Sequence, residues 1–207
     1  MEAALSLRVM DVADISVEYL NALNAVEVVE FTDLRHRSTD RSDAIDFIQV
    51  MQRSPCDCLW GIFADKNELI GTVRLGPIEF PNLVSEIGIL LFSENWQGKG
   101  IGRAVISKVC SDAGEYLGLM KFTAGVLREN NASVRAFEAS GFEREGCQVS
   151  QEVLRTGQRT DVLLFGRLTP PRVNPVNGLT GPLSMEWPPE SKWKRDLPHY
   201  QARLQRA

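Results

Sequence analysis

The segment that decides the fold prediction is Gln97-Gly98-Lys99-Gly100-Ile101-Gly102. It follows a β-rich run at 85–92 and precedes apolar residues at helical spacing, so it predicts a strand, a turn and a helix. Glycines at alternate positions let the backbone turn sharply and approach a ligand without an intervening Cβ atom. Several amides would then point one way at a helix N-terminus, which is an arrangement that binds phosphate, with Lys99 and Arg103 adding positive charge.

Two other glycine-rich phosphate motifs do not fit this segment. A P-loop requires Ser or Thr after a Gly-Lys pair, whereas Gly100 follows Lys99. A dinucleotide fingerprint requires G-x-G-x-x-G, and the glycines here are spaced differently. A glycine-rich turn without a ligand stays open as an alternative at this point.

The surrounding patterns predict the order βααβββαβαββ, a mixed sheet with helices on both faces. Strands are expected at 5–9, 58–64, 68–76, 85–92, 119–127, 143–154 and 160–168, and the later helices at 100–115 and 131–140. Gly141 is expected to end the last helix in a left-handed conformation.

Two early helices are also predicted. Asp14 is expected to cap the first, whose apolar positions are Val17, Leu20 and Leu23. The second is expected from residue 42 or 43 to 52, with an inward face formed by Ala44, Phe47, Ile48 and Met51.

A second motif follows the glycine-rich segment: Asn130-x-x-Ser133-x-x-x-Phe137-Glu138-x-x-Gly141-Phe142. Together the two stretches resemble the signatures of the GNAT superfamily of acyl-CoA-dependent N-acyltransferases. The resemblance covers roughly residues 5–168 and includes the order of elements. It implies an α/β (α+β) fold with a mixed, largely antiparallel central sheet that is splayed between two strands, with helices on both faces.

The resemblance also implies a cofactor site for acetyl-CoA. The pyrophosphate is expected at the turn formed by Gln97, Gly98, Lys99, Gly100, Ile101 and Gly102, with Arg103 nearby. The pantetheine arm is expected to pair with free backbone groups of Leu90, Leu91 and Phe92. Asn130 matches an asparagine that commonly contacts the cofactor, Ser133 lies one helical turn further on, and Phe137 lies beneath the cofactor.

The mechanism that the resemblance implies is direct attack of a neutral primary amine on the thioester, with strand amides as the oxyanion hole. Many relatives use a tyrosine as acid where this chain has Phe137, which has no proton to give. Ser133 is a candidate substitute, and the thiolate, with a conjugate-acid pKa of about 8.5, can also leave unaided. Packing in the core is the alternative interpretation of Phe137.

Glu86 is the candidate general base, because some relatives place a glutamate near the start of the corresponding strand. A carboxylate that faces solvent is the alternative. Glu79 and Glu30 are further candidates for lining an amine site.

The acceptor is expected to be a small amine, with an amino sugar as the first candidate and a protein N-terminus as the alternative. Residues 17–35 and 141–161 are similar to the branch containing ribosomal-protein N-terminal acetyltransferases and relatives that acylate amino sugars. Arg35, His36 and Arg37 are either contacts for a sugar nucleotide's phosphates or a solvated loop. A non-catalytic acyl-CoA-binding module, favoured only by the missing tyrosine, is a third possibility.

Charge and composition divide the chain near Leu168. Residues 1–168 carry 17 basic and 24 acidic side chains, whereas residues 169–207 carry six and three, with seven of the ten prolines. We therefore expect an acyl-CoA N-acyltransferase domain at 1–168 and a Pro/Trp-rich basic extension at 169–207. The extension is expected to wrap over the acidic body, with its tryptophans as anchors, or to reach a second subunit; disorder is the alternative.

The remaining features narrow the class of protein. A net charge of −4 argues against a general nucleic-acid binder. Four cysteines and two histidines without ligand spacing argue against a metal site. The amino terminus lacks the pattern of a signal peptide, and the sequence has no apolar run of membrane-spanning length. We expect reduced thiols, a cytoplasmic location, and a monomer or homodimer.

Overall fold

A computed structural model describes residues 4–169 and 183–193. The strands in these residues are β1 (Leu5–Val9), β2 (Cys58–Ala64), β3 (Glu68–Glu79), β4 (Val84–Leu91), β5 (Lys121–Leu127), β6 (Glu143–Val153), β7 (Arg159–Leu168) and β8 (Leu183–Met185). The helices are α1 (Val17–Ala22), α2 (Val26–Val29), α3 (Arg41–Arg53), α4 (Ile101–Leu117) and α5 (Asn131–Ala139). The strands form one sheet in the order β6-β7-β5-β4-β3-β2-β1-β8.

The sheet is splayed at its centre. Its neighbouring strands are antiparallel except for the β4–β5 and β1–β8 pairs. The parallel β4–β5 ladder ends at the pair Glu86 and Thr123, although β4 continues to Leu91 and β5 to Leu127. The two strands therefore separate beyond Glu86, and the expected splayed sheet is confirmed.

Helices cover both faces of the sheet. Trp60 and Ile62 of β2 belong to the core cluster that contains Val105 of α4. Leu59, whose side chain points to the other face of the same strand, belongs to the cluster that contains Ile48 of α3. The alternation along β2 therefore places α3 and α4 on opposite faces.

The predicted first helix is correct in its existence but wrong in its cap. Ser16, and not Asp14, caps α1, because its hydroxyl accepts a hydrogen bond from Tyr19 N at 3.1 Å. The Asp14 carboxylate instead binds Arg8 at 2.7 Å. Val17 is consequently 66% exposed, and Tyr19 takes the inward position.

The second helix begins slightly earlier than predicted. Asp40 caps α3 by accepting from Asp43 N at 2.9 Å, so the helix starts at Arg41. Ala44, Ile48 and Met51 are buried as expected, whereas Phe47 is 43% exposed, so its predicted inward position is wrong.

The described part of the extension, residues 183–193, wraps over the body, which is the first of the expected outcomes. Strand β8 pairs in parallel with β1, and the indole N–H of Trp60 donates to Glu186 O at 2.6 Å. The ring of Trp187 stacks on Tyr116 with centroids 4.7 Å apart. Trp193 is 1% exposed. Residues 170–182 and 194–207 lie outside the described residues, and the domain boundary near 168 stays a prediction.

The four cysteines are free thiols. Burial raises the pKa of both Cys58 and Cys110 to about 12, so these two thiols stay protonated at neutral pH. None of the helices in the described ranges is long and apolar enough to cross a membrane. The cytoplasmic location and the oligomeric state stay predictions.

Candidate active site

The gap between β4 and β5 exposes one set of backbone groups of β4. Phe92 N donates to Ile70 O at 3.1 Å across the β3 edge, and Leu90 pairs with Thr72 in the same register. In an antiparallel pair the residues that point their N–H and C=O groups to the partner alternate with those that point them away. The backbone groups of Leu90 and Phe92 therefore face β3, and those of Leu91 face the gap.

This geometry corrects one part of the predicted pantetheine strand. Of Leu90, Leu91 and Phe92, only Leu91 presents free backbone groups toward the gap, and Ile89 is the second residue that does so. The sequence identifies the strand but not which of its residues point their backbone groups into the gap. That direction depends on how β4 pairs with β3 and not on the side chains of β4.

The glycine-rich segment forms a turn with unpaired amides. Gly98 and Gly100 have φ values of 71° and 77°, and a Cβ atom on either would meet nothing within 4 Å. Within the described part of the chain, no acceptor pairs with the backbone N–H groups of residues 98–103. These amides surround the start of α4, where the helix dipole is positive.

Two side chains add positive charge at this turn. Lys99 Nζ lies 5.1 Å from the centroid of the Trp96 ring. Arg103 Nε is buried without a hydrogen-bond partner among residues 4–169 and 183–193. An orphaned buried guanidinium nitrogen beside a row of unpaired amides fits a pyrophosphate group.

Residues of the second motif have structural roles as well. The Asn130 side-chain oxygen accepts from Ser133 N at 3.1 Å and caps α5. A Cβ on Gly102 would lie 3.5 Å from Ala136 Cβ, so the first turn of α4 lies against α5. Contacts of Asn130 and Ser133 with a cofactor stay predictions.

Phe137 is a core residue. Its side chain is 3% exposed, and its ring lies 5.0 Å from that of Phe142 and 6.4 Å from that of Phe165. Packing therefore accounts for an aromatic residue here without an acid role. Contact between Phe137 and the cofactor stays a prediction.

An acidic cavity of about 480 Å³ opens where β4 and β5 separate. Its charged lining residues are Asp33, Arg35, Glu86, Glu145 and Glu152. Among the described lining residues there are therefore four carboxylates against one guanidinium, a balance that favours a positively charged group.

Two of these carboxylates are already neutralised. Glu152 binds Arg35 at 2.6 Å, and Glu145 binds Lys121 at 2.8 Å. Asp33 and Glu86 form no ion pair with any described residue. These two carboxylates supply the uncompensated negative charge.

Glu86 is the only one of the three predicted glutamates that lines this cavity, within the described residues. It is the last β4 residue of the ladder with β5, so its side chain lies where the gap begins. Glu79 binds Asn82 at 3.0 Å and Glu30 lies elsewhere, and neither lines the cavity. Asp33 was not predicted, because it begins a 3-10 helix of four residues, Asp33–His36, which is too short to show a periodic signal.

Arg35 forms one wall of the cavity and is not a free phosphate contact. It is 3% exposed and donates to Val153 O at 2.9 Å, Thr32 O at 2.7 Å and the Glu152 carboxylate. These bonds tie the loop after α2 to β6. The predicted basic cluster is therefore divided, since Arg35 turns inward and Arg37 stays exposed.

No group of three or more metal-ligating side chains lies close enough together to hold a metal ion in residues 4–169 and 183–193.

The chain resembles known acetyltransferases in sequence. A family profile described as "Acetyltransferase (GNAT) domain" matches residues 5–143. Uncharacterized N-acetyltransferase YoaA of Bacillus subtilis is 34% identical over 112 residues, which are 54% of this chain and 62% of YoaA. Uncharacterized N-acetyltransferase p20 of Bacillus licheniformis is 28% identical over 170 residues, which are 79% of this chain and 92% of p20. Spermidine N(1)-acetyltransferase of Vibrio cholerae is 35% identical over 99 residues, 48% of this chain and 56% of that protein.

Solved structures share the fold. Spermidine N-acetyltransferase from Vibrio cholerae in complex with CoA and spermine has a TM-score of 0.71 at 22% identity, covering 79% of this chain and 95% of that one. RimL, a ribosomal L7/L12 alpha-N-protein acetyltransferase in complex with CoA, has a TM-score of 0.70 at 24% identity, covering 78% and 92%. The microcin C7 self-immunity acetyltransferase MccE, in complex with acetyl-CoA and AMP, has a TM-score of 0.69 at 21% identity, covering 79% and 92%.

Proposed function

This chain belongs to the GNAT acetyltransferase family, and from that premise we propose that it transfers the acetyl group of acetyl-CoA to a primary amine of a small molecule. The observation that carries the proposal is the acidic cavity at the point where β4 and β5 separate. Its volume of about 480 Å³ falls in the range of small-molecule sites. An amino sugar is the first acceptor class to test.

Backbone N–H groups supply the hydrogen-bond donors for acetyl-CoA in this proposal. Acetyl-CoA, when bound, brings a thioester carbonyl whose oxygen gains negative charge as an amine attacks. The free N–H groups of Ile89 and Leu91 face the gap and are available to donate to that oxygen. The unpaired amides of residues 98–103, with Arg103, are available to hold the pyrophosphate.

Glu86 is the general base in this proposal. A primary ammonium has a pKa of about 10.4 and must lose a proton before its nitrogen can attack. Glu86 lines the cavity, and no cation among the described residues is paired with its carboxylate, so it can accept that proton directly or through water. Phe137 supplies no acid, and the departing thiolate, with a pKa of about 8.5, is a tolerable leaving group.

The test is release of free thiol from acetyl-CoA with amino sugars, polyamines and N-terminal peptides as acceptors. With the best acceptor, we expect Glu86→Gln to lower kcat/KM about 100-fold and to flatten the rise of kcat/KM with pH. Glu79→Gln is the matched control, since Glu79 lies outside the cavity. An unchanged rate and pH profile in Glu86→Gln would remove Glu86 from the mechanism.

The same panel separates the alternatives. Turnover of N-terminal peptides alone would assign the chain as a protein N-terminal acetyltransferase. Tight binding of acetyl-CoA with no thiol release for any amine would assign it as a non-catalytic acyl-CoA-binding module.

A further inference from the structure

A second cavity, of about 360 Å³, lies beside the acidic one and has the opposite charge. Its lining residues are Asn24, Arg35, His36, Arg37, Ser38 and Arg155. No carboxylate is among them. Arg35 lines both cavities, so its side chain lies between the acidic cavity and the basic one, which is open to solvent.

The loop that carries Arg37 is held in place without using its guanidinium. The Asn24 side-chain oxygen accepts from Ser38 Oγ at 3.0 Å and from Thr39 N at 2.9 Å. The Asn24 amide donates to Leu20 O and to Thr39 O, each at 2.8 Å. Asn24 therefore holds the residues that follow Arg37, and none of the hydrogen bonds among the described residues uses the Arg37 guanidinium.

The basic residues of this cavity differ in whether their N–H groups are free to bind a ligand. His36 Nε2 donates to Val153 O at 2.8 Å, and Arg35 is already bound to Glu152. Arg37 and Arg155 are exposed, and neither guanidinium forms a hydrogen bond or an ion pair with the residues that the structure describes.

Arg155 reaches this cavity from the turn between β6 and β7, across from the loop after α2. Two unpaired guanidinium groups on one cavity repel each other, and a bound anion removes that repulsion. Arginine presents its donors as a planar fork, which matches the oxygens of phosphate.

We propose that this basic cavity binds a phosphate group of the acceptor, so that the acceptor is a phosphorylated small amine. Its amino group enters the acidic cavity on one side of Arg35, while its phosphate lies on the other side, between Arg37 and Arg155. The inference rests on the proposed function and deepens it by naming the substrate class.

The experiment compares two matched pairs of amines that differ only in phosphate: ethanolamine with phosphoethanolamine, and glucosamine with glucosamine 6-phosphate. Each is titrated calorimetrically into the full chain saturated with CoA, so that the phosphate contacts of the cofactor are already occupied. In at least one pair we expect the phosphorylated amine to bind at least about tenfold more tightly, which corresponds to about 1.4 kcal/mol. We expect 0.5 M salt to weaken this preference, because exposed charges are screened.

Two variants locate the preference. The double variant Arg37→Gln and Arg155→Gln should reduce it to below about twofold. Arg53→Gln removes a guanidinium that binds Gln49 outside both cavities, and it should leave the preference intact. The free energy of unfolding of each variant, measured in urea, confirms that the comparison is made on folded protein.

The outcomes are distinct. No phosphate preference in either pair, or a preference that the double variant retains, would overturn the proposal. An acidic N-terminal peptide that binds in an arginine-dependent way, while neither pair shows a preference, would replace the phosphorylated amine with a peptide. Because the readout is binding, an arginine-dependent preference without thiol release would fail the proposed function and leave the phosphate site standing.

Discussion

Replacing Trp193 with alanine tests whether the extension contributes to the stability of the body. The Trp193 side chain is 1% exposed, and its ring lies 6.4 Å from that of Phe80. Truncation of a buried tryptophan typically costs about 3–5 kcal/mol. Trp193 Nε1 is buried without a partner among the described residues, and such a group costs about 1–3 kcal/mol. The loss should therefore fall near the lower end, at about 3 kcal/mol.

The assay is urea unfolding followed by fluorescence and circular dichroism. With a slope of about 2 kcal/mol per molar urea, a loss of about 3 kcal/mol lowers the midpoint by about 1.5 M. Trp193→Phe is the matched variant. It keeps most of the ring and removes the unpaired N–H, so we expect a change within about 1 kcal/mol.

Two results would refute this reasoning. A midpoint within about 0.3 M of wild type for Trp193→Ala would show that the segment does not pack on the body. A loss for Trp193→Phe as large as that for Trp193→Ala would show that the indole N–H has a partner.

Three further predictions concern single side chains. Burial opposes ionisation of Asp57, but hydrogen bonds from Ser54 and Arg74 outweigh it and lower its pKa. The ionised Asp57 carboxylate therefore stabilises the fold fully above its unfolded pKa of about 3.9, and this stabilisation is lost as pH falls through the lower folded pKa. Asp57→Asn should lower the free energy of unfolding, measured in urea, by about 1–3 kcal/mol at pH 7 and by less at pH 2–3. Gly100→Ala forces alanine to a φ of 77°, and it should destabilise by about 1 kcal/mol and raise the KM for acetyl-CoA at least about tenfold in the thiol assay. Burial raises the pKa of Tyr19 to about 12, so Tyr19→Phe should leave the pH–rate profile unchanged below pH 9; a shifted profile would contradict this.

Local rules predicted the conformation of the glycine-rich turn well. Gly98, Gly100 and Gly141 all have positive φ, which a glycine-rich pattern indicates without knowledge of the rest of the chain. The strand before the turn and the helix after it followed from hydrophobic periodicity, and both are present within a few residues of the predicted bounds.

The sequence-based predictions were wrong or incomplete where the outcome depends on contacts between distant parts of the chain. Asp14 and Ser16 both have side chains that cap helices, and an ion pair with Arg8 decides between them. The backbone direction of Phe92 depends on its pairing with Ile70. Asp33 and Arg155 reach the candidate site only through the tertiary fold, and no local pattern marks either residue.

The pairing of β8 with β1 also determines which strand forms this edge of the described sheet. The terminal strand of a sheet presents unpaired N–H and C=O groups that can recruit a strand from another chain. Strand β8 covers β1 with only three residues, and β6, at the opposite end of the described sheet, is interrupted by register shifts. A chain cut before residue 183 would leave the five residues of β1, with its buried Leu5 and Leu7, as a new open edge. Residues 183–185 therefore cover an edge of the sheet that would otherwise be open to a strand of another chain.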